Sequence, residues 1–207
     1  MKYEWKKQEK ELYLPKNEPT LIEIPQMKYF TITGKGNPNN SKEFQDKISL
    51  LYSLSYAVRM MPKSGFTPNG YFEYVVYPLE GIWSFGDEKQ KSVIFCKDDF
   101  VYKLMIRQPD FVDEEVFDKA LKNTKEKKFS PLLDDVKFEK IQDGLCVQML
   151  HVGSYDDEQK SFEKMQNFID NNNYERRSLT HREIYLSDFT KVEVAKLKTV
   201  LRYFVKR

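Results

Sequence analysis

The chain has 207 residues, enough for one large domain or two small halves. Its 34 Lys+Arg nearly cancel its 32 Asp+Glu, leaving a net charge of +2, too balanced for the basic footprint of a nucleic-acid binder. With 40% hydrophobic and 32% charged residues, the composition is that of a globular chain, not a disordered one.

Residues 1–20 are polar and carry Pro15 and Pro19, so an N-terminal arm and linker are expected there. Leu21 to Gly34 is rich in β-branched and aromatic residues and reads as strand. After the turn at Gly34-Lys35-Gly36, Ser41 is placed to cap a helix. Phe44, Ile48, Leu51, Leu54 and Val58 recur at helical spacing up to about Met61, and Pro62 stops the helix. Tyr71–Tyr77, Gly81–Phe85, Val93–Cys96 and Phe100–Ile106 read as further strands, with a turn at Gly86-Asp87-Glu88-Lys89. Asp113 is placed to cap a helix from Glu114 to about Lys127. Its basic end, Lys125 to Lys128, suits the negative end of the helix dipole and needs no nucleic acid to explain it.

The second half follows the same order. Val136–Phe138 and Leu145–His151 read as strands. The turn Gly153-Ser154-Tyr155-Asp156 leads into a helix with Phe162, Met165, Phe168 and Ile169 on one face, ending at Asn171-Asn172-Asn173. Arg182–Leu186 and Lys198–Val205 close the chain as a strand pair. Lys103-Leu104-Met105-Ile106-Arg107 echoes Lys198-Thr199-Val200-Leu201-Arg202, and Phe72-Glu73-Tyr74 echoes Arg182-Glu183-Ile184. The expectation is an α+β fold of duplicated β-α-β-β units, about 21–112 and 136–207, joined by a helical linker over 113–135. The units would form a joined antiparallel sheet with helices on one face and a ligand cleft between the halves.

Glu is depleted in strands, so Glu183 within His181-Arg182-Glu183-Ile184-Tyr185-Leu186 is conspicuous. Alternation puts His181, Glu183 and Tyr185 on one face. Ile184 and Leu186, on the other, read as the helix-packed core, which turns Glu183 toward the groove. The plainer reading is a solvent-facing edge strand. Trp83 sits beside the small residues Gly81 and Ser84, either as core or as a ligand wall, and shares a face with Phe85. Tyr155 stands at a helix entry, where an ordinary staple is the plainer role. So many tyrosines, 13 beside 15 Phe and 2 Trp, suit surfaces that are apolar in body and polar at the tip.

Cys96 and Cys146 are far apart, and neither His151 nor His181 stands at metal-ligand spacing, so no metal and no cofactor are expected. No nucleotide-binding loop or nucleophile elbow occurs. The N-terminus lacks an apolar leader and no 18-residue apolar run occurs. Neither nucleic acid nor membrane is expected as a partner, and the expected location is cytoplasmic.

Several long segments closely resemble the GyrI-like small-molecule-binding family. They are Val147 to Glu158, His181 to Asp188, Lys196 to Tyr203, Glu80-Gly81-Ile82-Trp83 and Leu104 to Val112, in the family's order from about residue 20 onward. The resemblance implies a ligand cleft between two β-α-β-β halves. It matches Glu183 to the family's central strand glutamate, and Trp83 and Tyr155 to cleft-lining positions. Tyr71, Phe85 and Tyr185 join the expected ligand wall through strand facing as much as through the family. Related domains sense effectors in multidrug-responsive transcription regulators. The short arm leaves no room for a helix-turn-helix, so the stand-alone branch is expected.

Some members of that branch hydrolyse the strained cyclopropane of DNA-alkylating natural products. The implied ligand is therefore a planar aromatic or hydrophobic small molecule. The expected catalytic set is Glu183 directing water, with His151 or Tyr155 polarising the conjugated carbonyl. Two alternatives stand beside it: a binder that sequesters or senses compounds without turnover, and a protein–protein inhibitor of a topoisomerase-like partner.

Overall fold

The computed structural model describes residues 2–85 and 97–207, Phe85 and Lys97 by their backbone alone. The expected turn after Phe85 and the strand Val93–Cys96 lie outside the described residues.

Two helical turns, α1 (Trp5–Gln8) and α2 (Lys10–Tyr13), form the arm. β1 (Thr20–Lys35), α3 (Lys42–Met60), β2 (Leu79–Phe85) and β3 (Phe100–Gln108) follow. α4 (Glu114–Lys127) leads to β4 (Lys137–Val152), α5 (Gln159–Asn171), β5 (Glu175–Tyr185) and β6 (Lys198–Lys206). The helix boundaries follow local chemistry. Ser41 accepts from the Phe44 N–H at 3.1 Å and Asp113 from the Val116 N–H at 3.0 Å, each satisfying a donor that the first turn leaves open. Pro62, lacking an N–H, falls just past α3, and Asn173 takes a left-handed φ of 57° past α5.

The expected joined antiparallel sheet is present, with one correction: its two edges meet. Every pairing between the described strands is antiparallel, and the strands close into a six-stranded barrel in the order β1-β3-β2-β5-β6-β4. Strand length is the reason. β1 and β4 have 16 residues each, so β1 pairs with β3 through Lys28–Lys35 and with β4 through Thr20–Thr31. The two short strands expected before and after Gly144 are one strand, which turns through Gly144 at φ 67° opposite the irregularity at Pro25.

Tyr71–Tyr77 is a second correction. It forms no strand beyond a single parallel bridge from Tyr74 to Tyr3 of the arm. The Tyr3 N–H donates to Glu73 O and the Val75 N–H to Tyr3 O, so the arm takes the place of a sheet neighbour. Phe72-Glu73-Tyr74, expected to echo Arg182-Glu183-Ile184 as the equivalent strand of the first half, lies outside the barrel strands, and it is β2 that pairs with β5, with Gly81 across from Glu183.

Directly paired residues share a face. Tyr29, Glu80, Arg182 and Arg202 therefore point to the inside of the barrel, while Phe30, Leu104, Trp83 and Glu183 point outward. The helices α3, α4 and α5 pack on the outer face, α4 through Phe117 against Phe30. Phe44 of α3 meets Tyr102 and Trp83, and Phe162 of α5 stacks on Tyr203 at 5.3 Å. The expected facing of β5 is thus inverted: alternation holds, but the helices cover the Glu183 face, and Ile184 lies inside with Val200. A strand buried on both sides gives no hydrophobic face from which to tell inside from outside.

The arm seals the barrel. Gln148 Nε2 donates to Glu11 O at 2.7 Å, Arg202 to Leu12 O, and Arg107 pairs with Glu9. Among the described residues no helix is long and apolar enough to cross a membrane.

Candidate functional site

A cavity of about 890 Å³ lies over the outer face of β2 and β5, where α3 and α5 part. The helical repeat of α3 brings Phe44, Ile48, Tyr52 and Tyr56 to one side of it, while Leu50, Leu51, Leu54 and Val58 are buried in the core. The turn into α5 supplies Tyr155 and Glu158, and α5 itself supplies Phe162. β2 contributes Trp83, β5 contributes His181, Glu183 and Tyr185, and the arm contributes Trp5. Both tryptophans of the chain therefore reach the same space.

The period of two along β5 sets up a hydrogen-bonded chain. Trp83 Nε1–H donates to Tyr185 Oη at 2.9 Å, and Tyr185 O–H donates to Glu183 Oε2 at 2.7 Å. His181 Nε2 lies 2.9 Å from Glu183 Oε1. Gly81 makes this possible. A Cβ there would stand 2.7 Å from Trp83 Nε1 and 3.4 Å from Tyr185 Oη, so only glycine leaves room for the indole to cross the strand. Burial, then the charge of Glu183, pushes the Tyr185 phenol well above its ordinary range, which keeps it a donor.

Glu183 is 9% exposed. Glu158 is 6% exposed, and its Oε1 is buried with no hydrogen-bond partner. Desolvation, followed by the charges of Glu183 and Asp156, raises the Glu158 carboxyl far above the usual carboxylate range, which favours its neutral form. Burial, then the neighbouring carboxyls of Glu158, Glu183 and Asp188, push the Tyr155 phenol up to about 12, and its ring meets Tyr185 edge-on at 5.9 Å. Among the described residues no lysine or arginine lines the cavity, whereas Asp156, Glu158, Glu183 and Asp188 all do. No group of three or more His, Cys, Asp or Glu among the described residues is arranged to hold a metal.

Of the residues singled out from sequence, Trp83, Tyr155, Glu183 and Tyr185 converge here. The Phe85 side chain lies outside the described residues. Tyr71 sits elsewhere, donating to Arg59 O at 2.8 Å with its ring against Phe111. His151 is buried under α5, outside the cavity lining; its Nδ1 lies 2.9 Å from Ser161 Oγ and its Nε2 2.9 Å from Ser154 O. Glu158, Phe162, Phe44 and Trp5 are lining residues that sequence reasoning did not assign. Phe44 and Phe162 stood on apolar helix faces, where core packing is the ordinary role, and Trp5 stood in the polar arm. Glu158 stood near a helix start, where an acid is unremarkable.

The model of the GyrI-like small molecule binding domain matches residues 17–205. The chain belongs to that family. Its similarity to solved structures runs the full length. It is 34% identical to a protein described as a hydrolase from Listeria innocua, with a TM-score of 0.89, covering 99% of this chain and all of the other. It is 36% identical to an uncharacterized conserved protein from Listeria innocua, with a TM-score of 0.90 and coverage of 99% and 100%. The C-terminal domain of EcmrR shares the fold at 15% identity and a TM-score of 0.54, over 92% of this chain and 98% of that one. No curated protein matches. The GyrI-like domain contains the barrel and both cavity helices, and the arm lies outside the matched range yet places Trp5 in the cavity wall.

Proposed function

We propose that this GyrI-like protein takes planar aromatic or hydrophobic small molecules into the cavity. There it opens the activated cyclopropane of DNA-alkylating natural products by adding water. The observation that carries this reading is Glu183, held between Tyr185 and His181 at the wall of a large aromatic cavity without a described cation. Rings such as Trp83, Tyr155 and Phe162 stack on a flat ligand, each contact contributing about 0.5–1.5 kcal/mol beyond burial. Glu183 positions a water and takes its proton as the oxygen attacks the ring methylene. Tyr155, whose proton is firmly held, donates a hydrogen bond to the conjugated carbonyl as negative charge builds there. His151 is committed to the entry of α5, so its part is structural. The full-length likeness to a protein described as a hydrolase from Listeria innocua supports a hydrolytic role in general.

The same reading takes the halves as repeats of one β-α-β-β unit, about 21–112 and 136–207, with the arm apart from them. The recurring element order supports this, as does a cavity lined by α3 and β2 from one half and α5 and β5 from the other. A binder without turnover is favoured by one observation: both Glu183 oxygens already accept hydrogen bonds, so the carboxylate has a structural use of its own. Incubation with an activated-cyclopropane compound followed by mass analysis separates the two readings. Hydrolysis adds one water to the compound. Quenching of tryptophan fluorescence with no mass change leaves a binder, and neither response rejects the cavity as the working site.

A further inference from the structure

We propose that Glu158 is the proton donor of the cavity, working opposite Glu183. This rests on the hydrolytic reading above and assigns the second half of its acid–base pair. Glu158 arrives from a different element, the turn that enters α5, and both carboxyls line one cavity. Their surroundings differ. Glu183 receives Tyr185 Oη and His181 Nε2, whereas Glu158 Oε1 is buried with no partner. A buried oxygen without a donor disfavours the charged form. The groups that line the cavity around it are the carboxyls of Glu183, Asp156 and Asp188, the phenols of Tyr155 and Tyr185, and His181; none of the described ones is a lysine or arginine. The positive end of the α5 dipole favours ionisation, but that effect is smaller than the removal of a carboxylate from water beside another. Two carboxyls that share a site cannot both ionise easily, and one keeps its proton. The strong rise of the Glu158 titration agrees with this.

The step balances. A water O–H bond breaks, its proton passes to Glu183, and its oxygen bonds to the cyclopropane methylene. The ring C–C bond breaks, and its electron pair moves through the conjugated system to the carbonyl oxygen. Glu158 gives its proton to that oxygen. One proton then passes from Glu183 back to Glu158, and the net change is one water added. Tyr155 is a poor source for this proton, because its phenol titrates near 12. Glu158 is a good one for a specific reason: once Glu183 is protonated, the repulsion that held the proton on Glu158 is gone. The acid strengthens as the leaving oxygen becomes basic.

The test uses the full chain, with two readouts. In the ligand-free protein at neutral pH, the infrared spectrum should contain a protonated carboxyl band that Glu158→Gln removes. In Glu183→Gln, the loss of the neighbouring charge should move the titration of that band to lower pH. Absence of the band, or its survival in Glu158→Gln, overturns the proposal whether or not any substrate is turned over. With a spiro-cyclopropyl dienone as substrate, Glu158→Gln should lower kcat by roughly 10²–10⁴-fold while quenching of tryptophan fluorescence by the substrate is retained. Wild-type turnover with an unaffected Glu158→Gln overturns the donor role. A wild type that shows the band and its shift but no turnover upholds the shared proton and rejects the hydrolytic reading instead.

Discussion

Two clusters of buried acids lie on opposite faces of the same sheet, and they are stabilised in opposite ways. Inside the barrel, Arg182 bonds Glu80 at 2.6 Å, Asp143 at 2.7 Å and the Tyr29 hydroxyl at 3.1 Å. Charge is met there by charge, and the guanidinium is fully buried. In the cavity, Glu183 and Glu158 face no described cation. Glu183 is held by a phenol and an imidazole, and Glu158 by keeping its proton. An ion pair with good geometry locks a structure and leaves nothing for a ligand to use. A carboxyl pair that lacks a counter-charge is costly to hold and open to chemistry. Adjacent residues of one strand, Arg182 and Glu183, serve these two ends because alternation sends them to opposite faces.

The comparison breaks first at Arg182. Arg182→Met strands Glu80 and Asp143 in the barrel, so a loss of about 3–5 kcal/mol is expected in urea denaturation. Adding Glu80→Gln and Asp143→Asn should recover much of it. A mild single substitution would mean that the inner cluster does not hold the barrel.

On the cavity side the effects on stability are smaller. Gly81→Ala drives a methyl against the Trp83 indole and should cost about 1–3 kcal/mol while displacing the Trp83–Tyr185 hydrogen bond. A shift in tryptophan emission reports that displacement, and an unchanged spectrum would show that the indole accommodates the methyl. Tyr185→Phe removes the donor to Glu183 and the acceptor for Trp83 and should cost about 1–2 kcal/mol.

A further effect is a slope with pH rather than a fixed loss. The folded-state titration of Glu158 lies above its unfolded value, so above the ordinary carboxylate range the native state binds more protons than the unfolded state. Stability must then fall as pH rises through the window between the two, by up to about 1.4 kcal/mol per pH unit. Glu158→Gln should flatten that slope, and denaturation at pH 5, 7 and 9 measures it. Equal slopes in the two proteins would show that Glu158 ionises in the fold as it does in the unfolded chain.

Much of the outer framework was legible in the residues. Helix caps at Ser41 and Asp113, the stop at Pro62 and the β-branched runs are local signals, and the structure meets them. Alternation alone put Glu183 and Tyr185 together, because a period of two needs no tertiary knowledge. Closure of the sheet was not legible, since it depends on β1 and β4 each serving two neighbours. Nor was the outward facing of Glu183, because Arg182 is as fully buried as Ile184 and imitates a solvent residue in sequence. Glu158 was hidden for the same reason. An acid at a helix start looks solvated until the tertiary fold buries it beside another carboxyl.

Glu183→Gln tests the central claim most directly, with binding and turnover measured on one protein. The account predicts that an activated-cyclopropane compound still quenches tryptophan fluorescence with little change in affinity, while the gain of one water seen with the wild type is reduced by roughly 10²-fold or more. Wild-type turnover that survives undiminished in Glu183→Gln would contradict it.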